Sequence, residues 1–176
     1  MADYLYEYLK FASLVSVKTR PDQSPSVTGS LGNFGADLSF ETLLKIKKID
    51  VEKVTGLELI PTYSFARLYK TGNELQKHKD RPACEISVTI KLGDTKNFNW
   101  PIYINGTSVT LDDGDAVIYK GCEVEHWREK HTVPNYFLGQ VFLHYVDKNG
   151  PYEKYKYDQF YQKEEFFIKD ITKETT

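Results

Sequence analysis

The sequence predicts a mainly β fold with supporting helices, a sandwich or barrel of the class that includes jelly rolls. From Leu57 onward the chain reads as short runs in which polar and apolar residues alternate. Turn signals separate them at Lys70-Thr71-Gly72-Asn73, Asp112-Asp113-Gly114 and Lys148-Asn149-Gly150. No internal repeat or low-complexity block suggests another architecture.

Residues 1–176 read as a single domain, with a supporting segment over 1–56, a core over 57–147 and a tail over 148–176. That length can bury a core without disulfides or a structural metal. The supporting segment joins a Pro/Ser/Gly-rich loop, RPDQSPSVTGSLGNFG, to a helical stretch, SFETLLKIKKIDVEKVTG. In the helix Ser39 is the expected cap, Glu41 and Thr42 fall in the first turn, Leu43, Leu44 and Ile46 form the apolar face, and Gly56 is the stop. The strands follow as LIPTYSFARLY, CEISVTIKL, NWPIYIN, TSVTLDDGDAVIYKG, VEHWRE and NYFLGQVFLHYVD. The tail after Pro151 is charged and rich in Tyr, and is expected over the mouth or edge of the barrel.

Composition excludes several functions. The formal net charge is −2, so no basic excess marks nucleic acid as a partner. Two cysteines, Cys84 and Cys122, are too few for a disulfide framework and fit free thiols in a reducing compartment. The start, MADYLYEYLKF, has neither the basic nor the apolar region of a signal peptide. No apolar run approaches the roughly 20 residues that span a bilayer. A soluble, cytoplasmic protein is expected, and the Asn105-Gly106-Thr107 sequon carries no weight without secretion.

The chemistry centres on the stretch LQKHKDRPACEISVTIKLG. Residues i and i+2 of a strand share a face, so His78 and Asp80 can converge on one point. His126 ends the strand-like CEVEH 46 positions after Asp80, a separation that a jelly roll can close. Two histidines and one carboxylate on one octahedral face are the ligand set of non-haem Fe(II) oxygenases. The same residues also suit zinc or an empty cupin-like vestige, so the ligands alone do not name the metal. His131, in a loop beside Lys130, is expected to face solvent, and His144, in the alternating QVFLHYV, to be a core or face histidine.

The order Tyr69, Gly72, Leu75, His78-Lys79-Asp80-Arg81, CEISVTIKL, GDAVIYKG, His126 and a final aromatic strand resembles the prolyl-4-hydroxylase-like branch of the Fe(II)/2-oxoglutarate-dependent dioxygenases. TGLELIPTYSFARLY and HWRE…QVFLHYV resemble its compact bacterial and phage members, and the likeness covers roughly Leu57 to Val146. The resemblance implies a double-stranded β-helix (jelly-roll) catalytic core over 57–147. It also implies Fe(II) held by His78, Asp80 and His126, with 2-oxoglutarate and O2 as cosubstrates. The implied activity is hydroxylation of a peptide or small molecule, prolyl hydroxylation by analogy alone.

In that family an Arg or Lys about ten residues after the distal histidine commonly holds the far carboxylate of 2-oxoglutarate. Here that position is Tyr136, and the strand to Tyr145 contains no Arg or Lys. Arg128, two residues beyond His126, is ranked first as substitute for its planar fork. Lys91 is second; it shares a strand face with Glu85, Ser87 and Thr89, opposite Ile86, Val88, Ile90 and Leu92. Tyr69 and Tyr136 are candidate hydroxyl donors, with Tyr63 and Arg67 in the wall. Cys84 and Cys122 are expected near the metal end without ligating. The competing reading is a non-catalytic jelly-roll binding protein with a vestigial metal site. A zinc hydrolase is disfavoured because no separate general base stands beside the triad.

Overall fold

The computed structural model describes residues 1–16 and 37–157. The loop RPDQSPSVTGSLGNFG and the tail beyond Tyr157 lie outside the described residues. Among those described, no helix is long and apolar enough to cross a membrane.

Helix α1 (Ala2–Ser16) has no counterpart among the elements expected from sequence. It is free of Gly and Pro, and Leu5, Tyr6 and Leu9 recur at helical spacing on its buried side. Helix α2 (Leu38–Thr55) ends at Gly56 as expected, in the left-handed conformation at φ 72°. Its cap is Asp37, not Ser39: Asp37 is extended, and its carboxylate accepts from the Ser39 backbone N–H. Leu43 and Leu44 are buried, but Ile46 is 55% exposed. At about 100° per residue Ile46 lies on the far side from Leu44, whereas Phe40 and Val51 fall on its side.

Among the described residues eight strands follow: β1 (Leu59–Lys70), β2 (Leu75–His78), β3 (Ile86–Asp94), β4 (Ile102–Ile104), β5 (Thr107–Val109), β6 (Ala116–Tyr119), β7 (His126–Arg128) and β8 (Phe137–Asp147). They form two antiparallel sheets ordered β1-β8-β3-β6 and β2-β7-β4-β5. Consecutive strands alternate between the sheets over most of the chain, which is the strand order of a double-stranded β-helix. Cys84 does not open β3; it lies in the 3-10 turn Pro82–Cys84 that precedes it.

The main sheet is apolar toward the helices. Ala66, Leu68, Val88, Ile90, Leu92, Val141 and Leu143 form one core with Leu5, Tyr6, Leu9, Phe40, Leu43 and Leu44. Helix α1 comes close because Gly93 and Gly139 pair beneath it; a Cβ on either would lie 2.9 or 2.6 Å from the Tyr6 ring. Helix α2 is tied down through buried Glu41, which accepts from the N–H and hydroxyl of Ser64 at 2.8 and 2.7 Å.

The opposite face looks into the barrel, and register arranges it in rows. Tyr63, His144, Ser87 and Tyr119 lie abreast, then Phe65, Phe142, Thr89 and Val117, then Arg67, Gln140 and Lys91. A bulge between Pro61 and Tyr63 shifts the alternation of β1, so that Leu59 faces the helices while Tyr63, Phe65, Arg67 and Tyr69 face inward.

Candidate metal centre

The two imidazoles meet because β2 and β7 pair with His78 opposite His126, ring centroids 4.3 Å apart. His126 begins β7 rather than ending a strand, and β2 stops at His78, so Asp80 lies beyond the strand. Pro82 lacks the N–H that a continuing ladder would use. Asp80 instead donates its own N–H to the Gly121 carbonyl at 2.9 Å. The turn still carries the carboxylate back: Asp80 Oδ1 is 3.5 Å from Nε2 of both His78 and His126. Ligand atoms of the three residues all lie within 4.8 Å of one another.

Each imidazole is oriented by a backbone carbonyl two residues earlier. His78 Nδ1 is 2.7 Å from the Gln76 oxygen and His126 Nδ1 3.3 Å from the Val124 oxygen. A carbonyl only accepts, so Nδ1 carries the hydrogen and the Nε2 lone pair is free for a metal. Burial opposes the charge of Asp80, but the imidazoles of His126 and His78 beside it hold its carboxyl well below the usual range. The donor set therefore fits a divalent transition metal: two imidazoles that each turn Nε2 toward one point, and a carboxylate.

The three residues open into a cavity of about 500 Å³ between the sheets. Its walls include Tyr63, Phe65, Arg67, Tyr69, Phe142 and His144. Tyr119 was not singled out from sequence; its ring lies 4.9 Å from that of His126, and its hydroxyl is 3.2 Å from Thr89 Oγ1. Tyr69 is fully buried, and its hydroxyl accepts from Arg67 at 3.2 Å.

Deeper in the barrel lies a second, nearly filled space bordered by Arg128, Lys91, Gln140, Tyr136 and Trp100. Arg128 follows the face of His126 on β7 and is buried. Its Nη1 donates to the Trp100 carbonyl, and its Nε has no partner among the described residues. No carboxylate of a described residue pairs with it, and burial lowers its pKa. Lys91 is differently placed: its ammonium faces Asp94 at 2.9 Å and Asp113 at 3.0 Å. Tyr136 gives its hydroxyl hydrogen to the Phe98 carbonyl. Both side-chain polar atoms of buried Gln140 lack partners among the described residues.

Of the other histidines, His131 is not solvent-facing but only 2% exposed. Its ring stacks on Tyr136 at 3.9 Å, and its backbone pairs with Gly72 and Asn73, which folds the loop inward. His144 lines the cavity wall, and burial pushes its pKa down to about 4. Cys84 and Cys122 are free thiols. Cys84 lines the cavity with its sulfur 3.1 Å from the Tyr63 hydroxyl, and burial pushes its pKa up to about 12.

No family model matches the chain. A ferrochelatase of Geobacter sp. (strain M21) is 25% identical over 112 residues, 62% of this chain and 34% of that protein, so the chain spans about a third of the relative's length. Among solved structures, a Pseudomonas putida prolyl-4-hydroxylase is similar at 14% identity and TM-score 0.57, over 82% of this chain and 86% of that one. The non-heme alpha ketoglutarate dependent carbocyclase SnoK from nogalamycin biosynthesis is similar at 12% identity and TM-score 0.60, over 82% and 75%. EctD from S. alaskensis, with bound Fe, is similar at 12% identity and TM-score 0.54, over 80% and 68%. At such identities the likeness is one of architecture, and the chain has the double-stranded β-helix fold.

Proposed function

We propose that the chain is an Fe(II)- and 2-oxoglutarate-dependent dioxygenase that hydroxylates a peptidyl or small-molecule substrate, with His78, Asp80 and His126 as iron ligands. The observation that carries this reading is the donor set: two Nε2 atoms freed by Nδ1–carbonyl contacts and one carboxylate oxygen, at the wall of an open cavity. Such a set leaves the opposite coordination positions to cosubstrate and O2. When bound, iron and 2-oxoglutarate supply oxidative decarboxylation to succinate and CO2 with transfer of one oxygen atom to substrate.

The chain's own residues bind and orient. Arg128 takes the distal carboxylate of 2-oxoglutarate, because a buried guanidinium with no acidic partner among the described residues gains most from an anion. Tyr69, whose hydroxyl accepts from Arg67, keeps its own hydrogen for the same carboxylate. Lys91 ranks below Arg128 because Asp94 and Asp113 already neutralise it. Phe65 and Phe142 line the cavity and keep water from the reacting centre. The likeness to the P. putida prolyl-4-hydroxylase makes prolyl peptides the first substrates to screen for a mass gain of one oxygen.

Anaerobic titration tests the reading. One equivalent of Fe(II) should bind, and 2-oxoglutarate should then add a metal-to-ligand charge-transfer band. Iron binding without the band would favour a jelly-roll binding protein with a vestigial metal site; no iron binding would end the proposal.

A further inference from the structure

The two oxygens of Asp80 have different surroundings. Oδ1 faces the two Nε2 atoms, whereas Oδ2 accepts from the Ser87 hydroxyl at 3.0 Å. Ser87 is fully buried on β3, directly across from His144 on β8. Its Oγ is 3.1 Å from His144 Nδ1 and 3.2 Å from the Cys84 carbonyl oxygen. A serine hydroxyl has one hydrogen to give; once that goes to Asp80, the oxygen accepts from His144.

The backbone around this hydroxyl is unusually close. Gly121 accepts from the Asp80 N–H and donates to the Glu85 carbonyl. A Cβ at Gly121 would fall 2.6 Å from Asp80 Oδ2, and nearer still to Ser87 Oγ and the Cys84 carbonyl oxygen. Only a residue without a side chain lets the turn close on the hydroxyl. The same contacts account for a second grouping of possible ligands, Asp80, Cys84 and His144, which also lie within 4.8 Å of one another. The Ser87 hydroxyl bonds both Asp80 and His144, so this grouping is a hydrogen-bond network rather than a second metal site.

We infer that Ser87, backed by His144 and seated against Gly121, is a positioning residue that keeps Asp80 a one-oxygen ligand. The inference rests on the iron reading above. A carboxylate released at Oδ2 can take two coordination positions instead of one, closing a position that 2-oxoglutarate needs.

Fe(II) affinity and the charge-transfer spectrum of the 2-oxoglutarate complex, measured on the full chain with circular dichroism as the check on folding, decide it. Ser87→Ala should weaken Fe(II) binding about 10- to 100-fold and, at saturating iron, shift or abolish the band. Gly121→Ala should reproduce both effects, and His144→Ala should give a smaller shift in the same direction with iron stoichiometry kept. A folded Ser87→Ala protein with wild-type iron affinity and an unchanged band overturns the inference. Should Ser87→Ala not fold, the same unchanged result in Gly121→Ala or, failing that, an unmoved band in His144→Ala overturns it. Failure of the wild-type chain to bind iron would instead remove the iron reading on which it rests.

Discussion

The two faces of β3 and β8, at the centre of the main sheet, are both hidden from water yet differ in chemistry. Almost every residue of β3 and β8 is buried, so burial does not distinguish the faces. Toward the helices they carry Val88, Ile90, Leu92, Val141 and Leu143; toward the cavity, Ser87, Thr89, Lys91, Gln140 and His144. The first face stabilises the fold by area removed from water, about 25 cal/mol per Å² of apolar surface. On the second face most polar groups find partners, but any left unsatisfied works against the fold at about 1–3 kcal/mol. Among the described residues Gln140 has no partner for either amide atom, and Arg128 opposite has none for Nε. One face of the sheet serves cohesion, and the other keeps polar groups at a cost that the proposed ligand site would account for.

The sharpest break in that comparison comes at the triad. His78→Ala, Asp80→Ala and His126→Ala should each lose stoichiometric iron, by metal titration, while circular dichroism stays near wild type. Retention of one equivalent by the His126 variant would remove that residue from the ligand set.

Next in size, Arg128→Ala should keep iron but weaken 2-oxoglutarate binding by about 2–5 kcal/mol, on the order of 30-fold to several thousandfold. Arg128→Lys should recover only part, because an ammonium lacks the planar fork. Collapse of affinity in Lys91→Ala, with Arg128→Ala unaffected, would move the anchor to β3.

On the helix-facing side the pattern inverts. Leu143→Ala should cost about 2–5 kcal/mol in denaturant unfolding and leave iron stoichiometry untouched. Gln140→Leu on the cavity side should leave stability unchanged or raise it by about 1 kcal/mol, since it removes two polar atoms that have no partner among the described residues. A marked loss of stability in that variant would mean that the cavity face contributes to cohesion after all. The smallest effect belongs to Cys122→Ser, where iron affinity should hardly change; a large loss would point to thiolate coordination.

What could be read from the chain alone was whatever depends on local periodicity. Alternation along Ile86 to Leu92 separates Ser87, Thr89 and Lys91 from their apolar neighbours, and Gly56 marks a helix end by its own backbone freedom. The i, i+2 spacing of His78 and Asp80 and the face shared by His126 and Arg128 are likewise local, although Asp80 reaches its place through a turn rather than along a strand. Features set by distant segments were not legible. His131 is buried because Tyr136 and the Gly72 turn enclose it; Lys91 is neutralised by Asp113, twenty-two positions away; and a bulge at Pro61–Tyr63 decides which side chains of β1 face the cavity. The closure of Gly121 on Ser87 and Asp80 belongs with these, since no spacing in the chain implies a contact between a turn and a strand more than thirty residues apart. Periodicity assigns a side chain to a face, but its partners are chosen by the packing of sheets, and only the tertiary structure supplies that.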